Sequence, residues 1–251
     1  ETMSELEVYL GIDTSCYTTS VAFMDRQANL VGESRQILKV LEGKCGLQQS
    51  EMVFQHTRNL PEMIKNAMPR GAKIIGVCAS GYPRPLPDSY MPAFLVGAGL
   101  ARSVSVLNNI PLWLISHQEN HLLAGKWSAG GPDDERFLFL HASGGTTDLL
   151  TAEKYGNENY KLTEIGGIID LHAGQFIDRI GVSLGLQFPA GPALEKFAET
   201  AAGPVELPVS VKGCKASLSG PATAAERKLA AGADPAGIAL CMQKVLAETY
   251  Y

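Results

Sequence analysis

Apolar and polar positions alternate from Leu6 to Asp13, with Val8, Leu10 and Ile12 on one side, the period of a strand entering a core. Thr14-Ser15-Cys16 turns the chain, and residues 18–23 and 30–38 read as second and third strands. From Ser50 the period lengthens, and Met52, Val53, His56, Leu60 and Ile64 fall on one helical face. A short buried strand is expected at 73–79, a Gly- and Ala-rich apolar helix at 93–107, and a strand at 111–116. Three strands followed by alternating helices and strands predict a sheet covered by helices, an α/β fold.

The second half begins the same way. Residues 137–142 (FLFLHA) form a strand, Ser143-Gly144-Gly145 a turn, and 146–152 and 160–165 two more strands. A helix is expected at 172–184, then a Pro/Gly corner at 189–192. YLGIDTSCYTTSVAF and FLFLHASGGTTDLLTA share one shape: apolar strand, small-residue hairpin, strand. They predict an internal duplication joined near Ser128-Ala129-Gly130-Gly131-Pro132, with domains at 1–128 and 133–251. Two hairpins alike by chance is the plainer alternative. Tight glycine turns bring backbone N–H groups close to anionic oxygens, so a nucleotide cleft between the domains is expected.

Composition narrows the class. With 251 residues, 45% hydrophobic and 19% charged, the chain is neither disordered nor collagen-like nor a disulfide-stapled miniprotein. Lys and Arg number 21 against 26 Asp and Glu, a net charge of −5 that does not suit strong unaided nucleic-acid binding and leaves room for a local basic patch. Cys16, Cys45, Cys78, Cys214 and Cys241 lack CxxC spacing and read as small buried thiols in a reducing compartment. Glu1, Glu5 and Glu7 stand where a signal peptide carries positive charge, and the apolar run 91–101 is about half a membrane span. A soluble, cytoplasmic protein is expected.

The sharpest local signal is His117-Gln118-Glu119-Asn120-His121. Residues at i and i+4 share a helical face, so both imidazoles can reach one metal ion. Glu119 lies roughly 200° around the helix from His117, which disfavours a zincin-type protease. Two ordinary histidines are the plainer reading. Ser143-Gly144-Gly145 is suited to a phosphate or carboxylate and equally to a plain hairpin turn. Asp178 follows the apolar pair Phe176-Ile177, and the corner GLQFPAGPALE after it either packs against a ribose or base or links two helices. Asp13 reads first as a turn acceptor and second as a magnesium contact.

Taken together, LGIDTSCYTTSVA, EMVFQHTRNLPEMI, FLVGAGLARSVS, IPLWLISHQENHLLAG, HASGGTTDLL, IIDLHAGQFIDRIGVSLGLQFPAGPALEKFA and VKGCKASLSG resemble the catalytic subunit of tRNA threonylcarbamoyladenosine synthase, the family formerly labelled O-sialoglycoprotein endopeptidase. The resemblance implies two duplicated RNase H-like domains of the actin, sugar-kinase and Hsp70 fold. It implies one iron or zinc ion on His117 and His121. It also implies a substrate-contacting loop at His141, Ala142, Ser143, Gly144 and Gly145, and adenylate contacts at Asp178, Gly191 and, as a weaker match, Glu195. The implied reaction transfers a threonylcarbamoyl group from its adenylate to the adenosine beside the tRNA anticodon, with partner proteins and room for a dimer.

The alternatives are a non-catalytic nucleotide-binding or scaffold paralogue, and a small-molecule kinase or carbamoyltransferase on the same fold. Several positions depart from the family pattern: Thr146 for the histidine of SGGHT, Cys16-Tyr17-Thr18-Thr19 for a DETS-like run, Asp170-Leu171 for Asp-Asp, Asn120 for a glycine, and Ser80-Gly81-Tyr82-Pro83-Arg84-Pro85 for a GPG loop. The family also continues with a GGVAAN-type strand and a DNG segment carrying a third metal ligand, whereas this sequence stops at Tyr251. The resemblance thus implies a second domain missing its last strands, and a 251-residue form that is inactive by itself.

Overall fold

A computed structural model describes residues 5–40, 46–156, 159–203 and 205–251. They divide into two compact units, Glu1–Gly131 and Pro132–Tyr251.

The first unit opens with a meander of β1 (Leu6–Asp13), β2 (Thr18–Asp25) and β3 (Leu30–Ile37). Helix α1 (Gln49–Ala67), β4 (Ala72–Tyr82), α2 (Pro92–Asn108), β5 (Leu112–Ser116) and α3 (His117–Ala129) follow. The sheet order is β3-β2-β1-β4-β5, with β4 parallel to β1 and the meander antiparallel. Strand period sends Val8, Leu10 and Ile12 to one face, where they meet Leu60, Met63 and Ala67 of α1 and Ala101 of α2. The buried residues of α1 (Met52, His56, Leu60, Met63, Ala67) recur every three or four positions, one stripe of a helix. α2 begins at Pro92, where the missing N–H costs nothing, and ends at Asn109 in the left-handed region (φ 50°).

The second unit repeats the meander as β6 (Arg136–Ala142), β7 (Thr147–Tyr155) and β8 (Asn159–Ile168). Then come α4 (Ala173–Ser183), α5 (Gly191–Ala198), the short strands β9 (Val211–Lys212) and β10 (Lys215–Ala216), α6 (Ser219–Ala230) and α7 (Pro235–Tyr250). Its core joins Phe176, Ile180, Leu194, Leu218, Ile238 and Met242 of the helices and their caps to Ile168 and Ala216 of the sheet.

The sheet order here is β6-β7-β8-β10-β9. In the first unit the parallel partner joins the first strand of the meander; in the second it joins the third, β8. The two meanders are alike, and their sheets are completed differently.

Three expectations need correction. The corner at 189–192 is partly helix: α5 starts at Gly191 because Pro192 occupies its first turn. The strand expected at 137–142 is present as β6, so His141 and Ala142, which the resemblance places in a substrate loop, lie on a strand and pair with Asp148 and Thr147. Of the cysteines expected to be buried only Cys241 is; Cys16 and Cys214 are exposed in turns, Cys78 is half-buried, and Cys45 lies outside the described residues. The four described cysteines are free thiols. Among the described residues no helix is long and apolar enough to cross a membrane.

Candidate functional site

The first unit carries the paired histidines. Ser116 caps α3: its hydroxyl accepts from the Glu119 N–H at 3.1 Å, and the Glu119 carboxylate accepts from the Ser116 N–H at 2.7 Å. Glu119 is therefore committed to the helix start. The Ser-x-x-Glu spacing of residues 116–119 was the readable signal for that cap.

His117 and His121 bring their Nε2 atoms to 2.9 Å, with the rings nearly perpendicular at 82°. Phe94, buried on α2, meets the His117 ring edge-on at 5.9 Å. Partial desolvation and then the neighbouring His117 keep the His121 imidazole neutral to lower pH than an ordinary histidine. Two imidazole Nε2 atoms brought this close on one helical face suit iron or zinc, as do the residue types.

Behind them lies Asp13, at the end of β1. Its Oδ1 accepts from the Ser15 N–H (2.7 Å) and from the Ser15 hydroxyl, the turn role expected from sequence. Its Oδ2 accepts from Ser80 Oγ at 2.6 Å and Asn120 Nδ2 at 2.8 Å, and faces His117 Nδ1 at 3.4 Å. Burial pushes this carboxyl upward, but His117 and the Ser15 and Ser80 hydroxyls outweigh it and hold Asp13 well below the usual carboxylate range. The sequence marked Ser80 and Asn120 only as departures from the family pattern and gave neither a role.

The β1–β2 turn is pinned from two directions. Thr14 Oγ1 donates to the Ala93 carbonyl (2.9 Å) and accepts from the Gly97 N–H (3.0 Å). A Cβ on Gly97 would stand 2.9 Å from that hydroxyl, so only glycine lets α2 approach. His56, fully buried, donates from Nε2 to the Cys16 carbonyl (3.1 Å), which leaves Nδ1 to accept from Thr19 Oγ1 (2.8 Å).

The second unit carries the other hairpin. Ser143 N–H donates to the Thr146 carbonyl at 2.7 Å and closes the turn. The turn lies on the start of α4: Ala173 N–H donates to Thr147 Oγ1 (2.9 Å) and Gly174 N–H to the Ser143 carbonyl (3.3 Å). A Cβ on Gly174 would meet Gly144 Cα at 2.5 Å. The first amides of α4 are thus taken by protein, and an anion at this turn has the turn's own amides to use. Gly144 and Gly145 are exposed, and a Cβ on either would touch nothing within 4 Å. Packing does not demand glycine at either position.

Asp178, one helical turn along α4, accepts from the Ala190 N–H at 2.7 Å and ties α4 to the start of α5. Gly191 and Glu195 line a pocket of about 270 Å³ with Ile177, Leu194, Met242, Gln243 and Leu246. Ser143, Gly144, Gly145 and Asp178 are not among its lining residues. The structure therefore brings Gly191 and Glu195 together and sets the Ser-Gly-Gly turn against α4 instead. His141 is buried on β6 and stacks on Phe139 at 6.0 Å, while Ala142 at the strand's end is exposed. Gly174, which seats the turn, was not singled out from sequence, and Thr147 was read only as part of the anion-suited segment 143–147.

The family model of tRNA N6-adenosine threonylcarbamoyltransferase matches residues 89–250. A relative described as tRNA N6-adenosine threonylcarbamoyltransferase, from Methanopyrus kandleri, is 33% identical over 190 residues, covering 74% of this chain and 53% of that one. A probable bifunctional tRNA threonylcarbamoyladenosine biosynthesis protein from Methanothermobacter thermautotrophicus is 28% identical over 236 residues, 94% of this chain and 42% of that one. The chain thus spans about half the length of these relatives. Component A of (R)-2-hydroxyglutaryl-CoA dehydratase from Acidaminococcus fermentans superposes with a TM-score of 0.53 at 13% identity, covering 98% of this chain and 76% of that one. That likeness concerns the fold alone, an α/β fold with two RNase H-like domains of the actin, sugar-kinase and Hsp70 type.

Proposed function

The chain belongs to the tRNA N6-adenosine threonylcarbamoyltransferase family, and from this we propose that it transfers a threonylcarbamoyl group from threonylcarbamoyl-adenylate to the adenosine beside the anticodon of tRNA. The observation that carries the proposal is the reach of the family match. Residues 89–250 include the paired histidines, the Ser-Gly-Gly turn, Asp178, Gly191 and Glu195. The setting is the cytoplasm, with tRNA and partner proteins.

The reaction needs no side-chain nucleophile, because the acyl-adenylate is already activated. The adenosine amino nitrogen bonds to the carbamoyl carbon, the bond from that carbon to the phosphate oxygen breaks, and AMP leaves with the electron pair while the amine proton passes to solvent. What the protein supplies is position and charge. His117 and His121 would hold one iron or zinc ion through Nε2. Such an ion supplies positive charge to a carbamoyl or phosphate oxygen.

Gly144 and Gly145 present backbone amides with no side chain to keep an anion away, which supports a phosphate or carboxylate contact at the turn. The pocket at Gly191 and Glu195 is walled by Ile177, Leu194, Met242 and Leu246, apolar surfaces suited to a flat base, and Glu195 and Gln243 offer polar contacts at its edge. Asp178 acts one step back, by holding the start of α5.

The test supplies synthetic threonylcarbamoyl-adenylate, unmodified tRNA and iron or zinc, then digests the tRNA and weighs its nucleosides. Appearance of the modified adenosine, lost with His121→Ala, is the expected result. Adenylate binding without any modified nucleoside, in the presence of the partner proteins, favours the scaffold reading instead.

A further inference from the structure

The paired histidines sit in front of a hydrogen-bond cluster that is unusual in one respect. A single carboxylate oxygen, Asp13 Oδ2, accepts from two elements, Ser80 Oγ on β4 at 2.6 Å and Asn120 Nδ2 on α3 at 2.8 Å, and lies 3.4 Å from Nδ1 of His117, also on α3. Asn120 Nδ2 also reaches Ser80 Oγ at 3.0 Å, so its two amide protons bridge the carboxylate and the hydroxyl. Asn120 is one residue before His121 and three after His117, on the helix that carries both rings.

An asparagine amide nitrogen only donates, and an ionised carboxylate only accepts. The cluster therefore has one orientation. Asp13 cannot rotate away from α3 without stranding Asn120, and α3 cannot slide along the sheet without breaking the link to β1 and β4. With Oδ2 held in place, the favoured His117 tautomer carries its proton on Nδ1, towards Asp13. Its Nε2 then bears the lone pair and faces His121. A carboxylate behind a ligating imidazole is the arrangement that fixes ring orientation and tautomer in metal sites.

We infer that Asn120 is a positioning residue for the histidine pair: by bridging Asp13 and Ser80 it holds the carboxylate that turns His117 Nε2 towards His121. The inference rests on the reading of that pair as a metal site, yet its first consequence needs no metal. The role belongs to the amide itself and not to helix stability in general.

The full chain is compared with Asn120→Ala, with Ser80→Ala as a second variant acting on the same oxygen, and with Gly125→Ala as a control. A Cβ on Gly125 touches nothing within 4 Å, so that change alters α3 without touching the cluster. The first readout is the pair of His117 ring nitrogens, observed by nitrogen-resolved NMR at mildly alkaline pH. The parent and Gly125→Ala show one tautomer, protonated on Nδ1; Asn120→Ala shows a mixture, and Ser80→Ala moves the same way by less. The second readout is the zinc dissociation constant from competition with a chromophoric chelator, which rises about tenfold in Asn120→Ala. An unmoved His117 tautomer in both Asn120→Ala and Ser80→Ala overturns the inference, whatever the zinc result. A shifted tautomer together with undiminished zinc uptake in His121→Ala supports the positioning role and removes the metal reading alone.

Discussion

Gly174→Ala tests how the Ser-Gly-Gly turn is held. The new Cβ would lie 2.5 Å from Gly144 Cα and 3.0 Å from both Gly144 N and the Ser143 carbonyl oxygen. Carbon atoms rest at about 3.5–4.0 Å, so the turn must retreat by about 1 Å or more. All three obstacles are backbone, and no side-chain rotation relieves them. Overpacking of this kind costs about 1–3 kcal/mol, and the bond from Gly174 N–H to the Ser143 carbonyl, already 3.3 Å, adds about 1 kcal/mol when it opens. Alanine returns up to about 1 kcal/mol of helix propensity. The net loss is about 2 kcal/mol, a fall in Tm on the order of 5–10 °C for a unit of this size.

Gly191→Ala is the paired control, because its Cβ meets only Ile177 Cγ2, at 3.9 Å. That variant keeps the parent Tm or gains slightly, while titration with AMP shows weaker binding at the pocket it lines. Calorimetry and amide spectra of Gly144 and Gly145 read both effects. An unchanged Tm in Gly174→Ala, with those amide signals unmoved, would refute the packing of the turn on α4.

His121→Ala should abolish stoichiometric iron or zinc, and elemental analysis showing the parent content would remove the metal assignment. Asp170 joins the start of α6 to the sheet end; burial raises its pKa, but the Ser217 and Ser219 hydroxyls and the Leu171 and Leu218 N–H groups outweigh that and hold it well below the usual carboxylate range. A depressed pKa gives stability that is present above the unfolded value near 4 and lost as pH falls below it. The Tm gap between the parent and Asp170→Asn should therefore narrow from pH 7 to pH 3, and a constant gap contradicts the reading. His56→Ala removes a fully buried ring and leaves the Cys16 carbonyl without its donor; a loss of about 2–4 kcal/mol is expected in urea unfolding, and less than about 1 kcal/mol argues against the pin.

Strand and helix periods were legible because each element buries one face only. Val8, Leu10 and Ile12 announce β1, and Met52, His56 and Leu60 announce α1. The two meanders were legible for the same reason. How each sheet is completed was not, since β9 and β10 are two residues each, too short for any period. Pairing i with i+4 placed His117 and His121 together, as one helix must. What stands behind them came from residues 67 and 107 positions away from one another in the chain, Asp13 to Ser80 and Asp13 to Asn120, and no local pattern reports such contacts. The Ser-Gly-Gly turn was found as a turn; its seat on Gly174 depends on a helix that starts some thirty residues later.

Two of the positions that depart from the family pattern, Thr19 and Asn120, share a physical feature. Thr146 closes the turn through its backbone carbonyl, a bond that any residue at this position makes. Thr19, in the altered run after β1, is fully buried and bonded to His56. Asp170, which keeps the first acid of the pattern where Leu171 replaces the second, receives the Leu218 N–H and the Ser217 hydroxyl. Asn120, in place of glycine, spans Asp13 and Ser80. Thr19 and Asn120 thus each have a side-chain partner of matching polarity within their own unit. The partners of Thr19 and Asn120 hold the turn after β1 and the carboxylate behind the histidine pair within the first unit.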